Sequence, residues 1–226
     1  MEDALRAGAV EPGLTLIETL GWTGEVFPRL GLHMQRLAGS AARLGWQCDV
    51  ARVEAALRAA VRAEPARVRL TLDGLGRVKV AVAAWPSVKT VWNLGLASAR
   101  LNSGDPWLAV KSSRRAAYDA ARALLPEGLD EVLFLNERDE VCDGSITTLF
   151  FDRGQGMRTP PLAAGLLPGV LRAEMAVPEE GLGVADLPVV RLWVGNSLRG
   201  LIPGQWLDAG GSLRRGYLGQ NERRRG

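Results

Sequence analysis

Apolar and polar positions alternate along residues 14–20 (LTLIETL), a period of two that predicts a strand. After the turn GWTGEVF, Leu30, Met34, Leu37, Ala41 and Leu44 form an apolar stripe at helical spacing, which predicts a helix over about residues 31–45. His33, Arg36 and Ser40 fall together on another face of it. Residues 50–63 repeat the helical spacing through Val53, Leu57 and Val61. Residues 67–73 (RVRLTLD) and 77–85 (RVKVAVAAW) alternate about a Gly-containing turn, the pattern of a β-hairpin. The first half therefore reads as an α+β unit, followed by a linker around Pro86 to Gly95. Beyond it, residues 107–111 (WLAVK) read as a short strand ending at Lys111, and residues 114–125 as a helix stopped by Pro126 and Gly128. Strands are expected at 131–136 and 146–152, joined through ERDEVCDGS. A helix is expected after LLPG (166–169), with RLWVG (191–195) as the last convincing strand. No internal repeat is visible.

Composition changes this picture at a few points. The chain has 226 residues and is 47% hydrophobic, enough for one large or two small cores. No uninterrupted apolar run of about 18 residues appears, and the N-terminus has neither the basic start nor the apolar run of a signal peptide. A cytoplasmic protein without membrane contact is expected. Cys48 and Cys142 lie far apart with no CxxC spacing, which predicts neither a disulfide framework nor a zinc site. Much of the formal charge of +3 comes from the NERRRG tail with Arg214 and Arg215. With no aromatic platform beside them, these read as a solvated terminus and not as a nucleic-acid surface. A single histidine, His33, leaves little room for metal or Ser-His-Asp chemistry.

The informative asymmetry is among the cations. Only Lys79, Lys89 and Lys111 are lysine, so arginine fills 25 of the 28 basic positions. A guanidinium cannot act as a neutral amine, whereas a lysine with a lowered pKa can. A lysine kept amid so much arginine is a candidate for amine chemistry. On residues alone, Arg36 also reads as a solvated helical arginine, Ser197 as a turn serine and Asp143 as ordinary Asp-Gly turn chemistry.

Six segments taken together bear on these choices: IETL (17–20), HMQRL (33–37), VKSSRRAAYDAAR (110–122), DEVLFLNERDEVCDGSITTLFF (130–151), TPPLAAGLLPGVLR (159–172) and GNSLRGLIP (195–203). In this order and approximate spacing the chain, from about Leu16 to Pro203, resembles the fold-type IV pyridoxal-phosphate enzymes. This class IV aminotransferase family includes branched-chain and D-amino-acid aminotransferases and aminodeoxychorismate lyase. The resemblance implies a two-domain α+β fold, with a small N-terminal α/β domain (1–90) and a C-terminal barrel-like cofactor domain (91–226). It also implies pyridoxal 5'-phosphate as cofactor, a small-molecule substrate and a homodimer. It places the Schiff-base lysine at Lys111, with Arg36, Ser197 and the amides of Gly169 and Val170 around the phosphate. Tyr118 falls near the cofactor. The carboxylate facing the pyridine nitrogen falls at Asp143, where relatives carry glutamate, and Thr148 stands where they often carry asparagine. The implied activity is 4-amino-4-deoxychorismate lysis to pyruvate and 4-aminobenzoate. Transamination of D- or branched-chain amino acids and a catalytically impaired cofactor-binding relative are the alternatives.

Overall fold

The computed structural model describes residues 2–207; the NERRRG tail, Arg214 and Arg215 lie outside the described residues. The chain begins with a helix that the apolar pattern did not indicate, α1 (Glu2–Gly8). It continues through β1 (Thr15–Trp22), α2 (Leu30–Leu44), α3 (Val50–Ala60), β2 (Ala66–Asp73) and β3 (Val78–Ala84). The three strands form an antiparallel sheet in the order β1-β2-β3. Because side chains alternate across a strand, Leu16, Leu20, Val68, Leu70 and Leu72 share one face. There they pack with Met34, Leu37, Ala41 and Leu44 of α2 and Val53 and Leu57 of α3. Each buried Leu, Val or Met side chain among them contributes about 1.5–3 kcal/mol.

The Asp49 carboxylate accepts from the Arg52 N–H and starts α3. The helix ends earlier than its apolar spacing indicates: Val61 is already extended, at ψ 161°.

A second, six-stranded sheet comprises β4 (Trp92–Leu101), β5 (Glu131–Asn136), β6 (Val141–Gly144), β7 (Thr148–Asp152), β8 (Arg191–Asn196) and β9 (Gly200–Trp206), in the order β6-β5-β4-β9-β8-β7. Strand β4 runs parallel to both its neighbours; the other pairs are antiparallel. The sheet curls until its ends meet, where the Gly144 N–H donates to the Thr147 carbonyl at 2.8 Å. The result is a nearly closed barrel. Glu131, fully buried, holds that closure: its carboxylate accepts from the N–H of Ser145 (3.0 Å), the N–H of Ile146 (3.2 Å) and the hydroxyls of Ser145 and Thr147.

Four expectations are corrected by the fold. The expected connection ERDEVCDGS contains strand β6, which pairs antiparallel with β5. Residues 107–111 are not a strand: Pro106–Ala109 form a 3-10 turn, capped by the Asp105 carboxylate, which accepts from Trp107 N–H at 2.9 Å. The expected linker ends where β4 begins, at Trp92. Strand β9 follows β8, so residues 191–195 do not close the fold. Helix α4 (Ala116–Ala123) and helix α5 (Val170–Met175) lie within or next to the segments that the pattern indicated.

Lys111 follows the 3-10 turn, and its backbone lies along the open edge of β1. The Ile17 N–H donates to the Lys111 carbonyl at 2.8 Å, and the Ser113 N–H to the Thr15 carbonyl at 2.9 Å. The segment is thus anchored to the first sheet just before α4.

Candidate active site

A cavity of about 410 Å³ is lined by residues of both sheets. Arg36, Lys111, Tyr118, Asp143, Gly169, Val170 and Ser197, which lie far apart in the chain, all line it.

One wall is a buried polar chain. Glu18 interrupts the inward apolar positions of β1 and is 1% exposed. Such a carboxylate needs partners, and α2 supplies them. Arg36 donates to it through Nε (2.9 Å) and Nη2 (2.6 Å), and the His33 Nδ1 lies 2.6 Å from it. On the other side of the imidazole, His33 Nε2 is 2.6 Å from Ser197 Oγ. Burial alone would push the Glu18 carboxyl up, but the Arg36 charge and the hydrogen bonds from His33 and Arg36 outweigh it and hold it below the usual carboxylate range. The remaining Arg36 nitrogen, Nη1, donates to the Pro168 carbonyl at 3.3 Å. Arg36, Ser197 and the start of α5 are therefore tied into one assembly of donors facing the cavity.

The amides of Gly169 and Val170 donate to no protein acceptor among the described residues. Gly169 must be glycine, since a Cβ there would sit 2.6 Å from Thr148 Oγ1. Ser197 occupies the turn between β8 and β9, where Asn196 Oδ1 accepts from the N–H groups of Leu198 (3.1 Å) and Arg199 (3.0 Å).

Across the cavity stand two titratable groups with unmet bonding capacity. Lys111 Nζ makes no hydrogen bond or ion pair among the described residues. Burial first, and then the Arg36 charge, bring its ammonium down to about 8. Asp143 is 5% exposed. Its Oδ2 accepts only a long bond from Leu167 N–H (3.4 Å), and Oδ1 is buried with no partner. Burial pushes this carboxyl up to about 8, opposed by the Leu167 N–H and reinforced by the nearby Glu131 charge. A buried carboxyl oxygen without a partner has a strong preference for an incoming donor.

Tyr118 packs edge-on against Phe134, with ring centroids 5.0 Å apart, and Arg115 lies 5.6 Å from its centroid. Burial drives its phenol well above its ordinary range, so the hydroxyl stays protonated.

Two carboxylates of this region, Glu18 and Glu131, received no role from the sequence. The signal for Glu18 was present: a charged residue at an inward position of an alternating strand demands a buried partner.

Residues 15–205 match the family model for class IV aminotransferases. No curated protein matches. Among solved structures, a candidate amino-acid aminotransferase from Mesorhizobium loti is 42% identical, with a TM-score of 0.81, covering 86% of this chain and 100% of its own. A 4-amino-4-deoxychorismate lyase from Pseudomonas aeruginosa is 21% identical, with a TM-score of 0.77, covering 90% of this chain and 86% of its own. The T.th. branched-chain amino acid aminotransferase, complexed with N-(5'-phosphopyridoxyl)-L-glutamate, is 18% identical, with a TM-score of 0.74, covering 96% of this chain and 83% of its own. The last two likenesses concern the fold. The family match over most of the chain and the 42% identical relative carry the assignment: this protein belongs to the class IV aminotransferase family of pyridoxal-phosphate-dependent enzymes.

Proposed function

We propose that the protein is a 4-amino-4-deoxychorismate lyase working through Lys111. The observation that carries the cofactor assignment is the pairing of an unbonded lysine amine with a buried, partnerless aspartate oxygen in one cavity. When bound, pyridoxal phosphate supplies the electron sink for breaking a bond at the substrate carbon that bears the amine. The protein does the rest. Arg36, Ser197 Oγ and the amides of Gly169 and Val170 bind the phosphate oxygens. Asp143 Oδ1 accepts the pyridine N–H, and its charged form is favoured by that partner. Lys111 Nζ would hold the cofactor covalently, and its amine would be the group placed to move the substrate proton. Tyr118 borders the same space. Asp143 is one methylene shorter than the family glutamate, and strand β6 and the Glu131-held turn set how far it reaches.

For this substrate, loss of the ring proton and release of pyruvate leave an aromatic ring, which makes the reaction downhill. We further propose that the chain works as two units, 1–90 and 91–226, with the site between them, and as a homodimer. The 42% identical relative favours a second reading, amino-acid transamination, in the same site.

Product analysis separates the two. A lyase is expected to form pyruvate and 4-aminobenzoate in equal amounts over many turnovers with no keto-acid acceptor. Activity only with an amino acid and a keto acid together, and no pyruvate from aminodeoxychorismate, would favour the transaminase.

A further inference from the structure

Arg67 and Arg69 occupy alternate positions of β2, opposite in direction to the core residues Val68 and Leu70. The β1 register sets Arg69 beside Thr19 and Arg67 beside Gly21, and both arginines line the cavity of Lys111. From the turn between β8 and β9 a third arginine, Arg199, enters the same cavity. Its Nη1 donates to the Ser87 carbonyl at 3.1 Å and its guanidinium lies 5.3 Å from the Trp92 ring centroid, which fixes its direction.

The other cavity arginines already have carboxylates: Arg36 has Glu18, Arg114 has Glu11, Arg115 has Asp119, and Arg122 lies 3.6 Å from Glu131. Arg67, Arg69 and Arg199 have none among the described residues. Burial first, and then neighbouring arginines, push Arg69 (Arg115 and Arg67, opposed by Asp119) and Arg199 (Arg122 and Arg67) below the usual guanidinium range. With Arg36 and the α5 amides assigned to the cofactor phosphate, three like charges remain without an ion-paired carboxylate among the described residues, Asp119 opposing them only at Arg69 and while paired with Arg115.

An apolar substrate side chain placed here would strip water from those guanidiniums and return nothing. A carboxylate would take up bidentate, charge-assisted hydrogen bonds. We infer that Arg67, Arg69 and Arg199 form the recognition face for a substrate bearing two carboxylates, so that the enzyme selects dicarboxylic amino compounds over amino acids with apolar side chains. The inference rests on the reading that the substrate amine meets Lys111 in this cavity; it holds for lysis and for transamination alike.

Two unreactive ligands test it on the holoprotein by calorimetric titration: succinate, with two carboxylates, and 4-methylpentanoate, with one carboxylate and a branched apolar tail. Succinate is expected to bind at least about tenfold tighter, a preference that shrinks with added salt. Arg67→Gln, Arg69→Gln and Arg199→Gln should each weaken succinate by about tenfold, as the loss of one charge-assisted contact does, and narrow its preference over 4-methylpentanoate, which offers the same face only one carboxylate. Equal affinity for the two ligands in the wild type, or succinate affinity unchanged in all three variants, would overturn the inference. Cofactor absorbance is read in the same samples. A protein without bound cofactor contradicts the underlying reading, whereas bound cofactor without a succinate preference contradicts the arginine face alone.

Discussion

Lys111→Ala is expected to fold like the wild type yet lose turnover by about a thousandfold or more, within the range that a positioned proton-transfer group supplies. The fold should survive because the contacts of this segment with β1 are made by backbone atoms and by Ser113, while Lys111 Nζ bonds to nothing among the described residues. Chemistry should not survive, because Lys79 and Lys89 are the only other lysines and neither lines the cavity. Lys111→Arg should be as inactive, since a guanidinium remains protonated. Burial and the Arg36 charge bring the Lys111 ammonium to about 8. Covalent uptake of cofactor by the cofactor-free protein should therefore accelerate as pH rises and level off above about 8. A midpoint near the ordinary lysine value of about 10.4 would contradict this environment. Circular dichroism and cofactor-uptake rates over a pH series are the measurements required.

Asp143→Asn carries the second large effect. If Asp143 Oδ1 pairs with the pyridine nitrogen, the variant should keep the cofactor and slow catalysis by about a hundredfold or more, as loss of a preorganised charge does. In the cofactor-free protein the same substitution has an opposite consequence for stability. The folded-state carboxyl titrates at about 8 instead of 3.8, so between those values the native state binds more protons than the unfolded chain and stability falls as pH rises. Lys111 acts above that window: its depressed value of about 8, against 10.5, makes stability rise again with pH. Glu18, held low, acts only at more acid pH, where its contribution is lost as pH falls. Urea unfolding should thus show the wild type losing on the order of a few kcal/mol between about pH 4 and about pH 8, with that loss absent from Asp143→Asn. A wild type and variant that run parallel across the window would remove Asp143 from the buried, partnerless state described above.

Much of the fold was legible where one periodicity dominated. Residues 131–136 and the hairpin at 67–85 alternate or run apolar in the manner of strands, and α2 carries a full stripe of five apolar positions. Local signals misled where they competed with long-range pairing. Trp107, Leu108 and Val110 read as a strand because apolar residues cluster there, but Pro106 and the Asp105 cap turn the backbone into a 3-10 segment. The first four residues of strand β4 fell in the expected linker and the rest received no assignment, because its Asn93, Gly95 and small residues are poor strand formers; pairing with β5 and β9 overrides them. In β6 the Asp143-Gly144 pair mimics a turn, whereas it lies in a strand next to the Glu131-held loop. Strand β9 contains Pro203, a residue that strands disfavour; it lies one residue before that strand begins to pair with β4.

The site divided along similar lines. Its cavity-facing residues could be carried over from ordered motifs, segment by segment. Glu131 and the arginines of β2 were not assigned, because their meaning depends on the loop that closes the barrel and on which side chains the two sheets bring to one cavity, whereas Glu18 carried its own signal as a charge at an inward strand position.

Lys111 alone is expected to carry the cofactor. Borohydride reduction of the holoprotein followed by peptide mapping tests it most directly: the three lysines lie far apart, at 79, 89 and 111, and give distinguishable fragments. One pyridoxyl group per chain, on Lys111, is the predicted result. Label on Lys79 or Lys89, or none on a protein that retains cofactor, would contradict it.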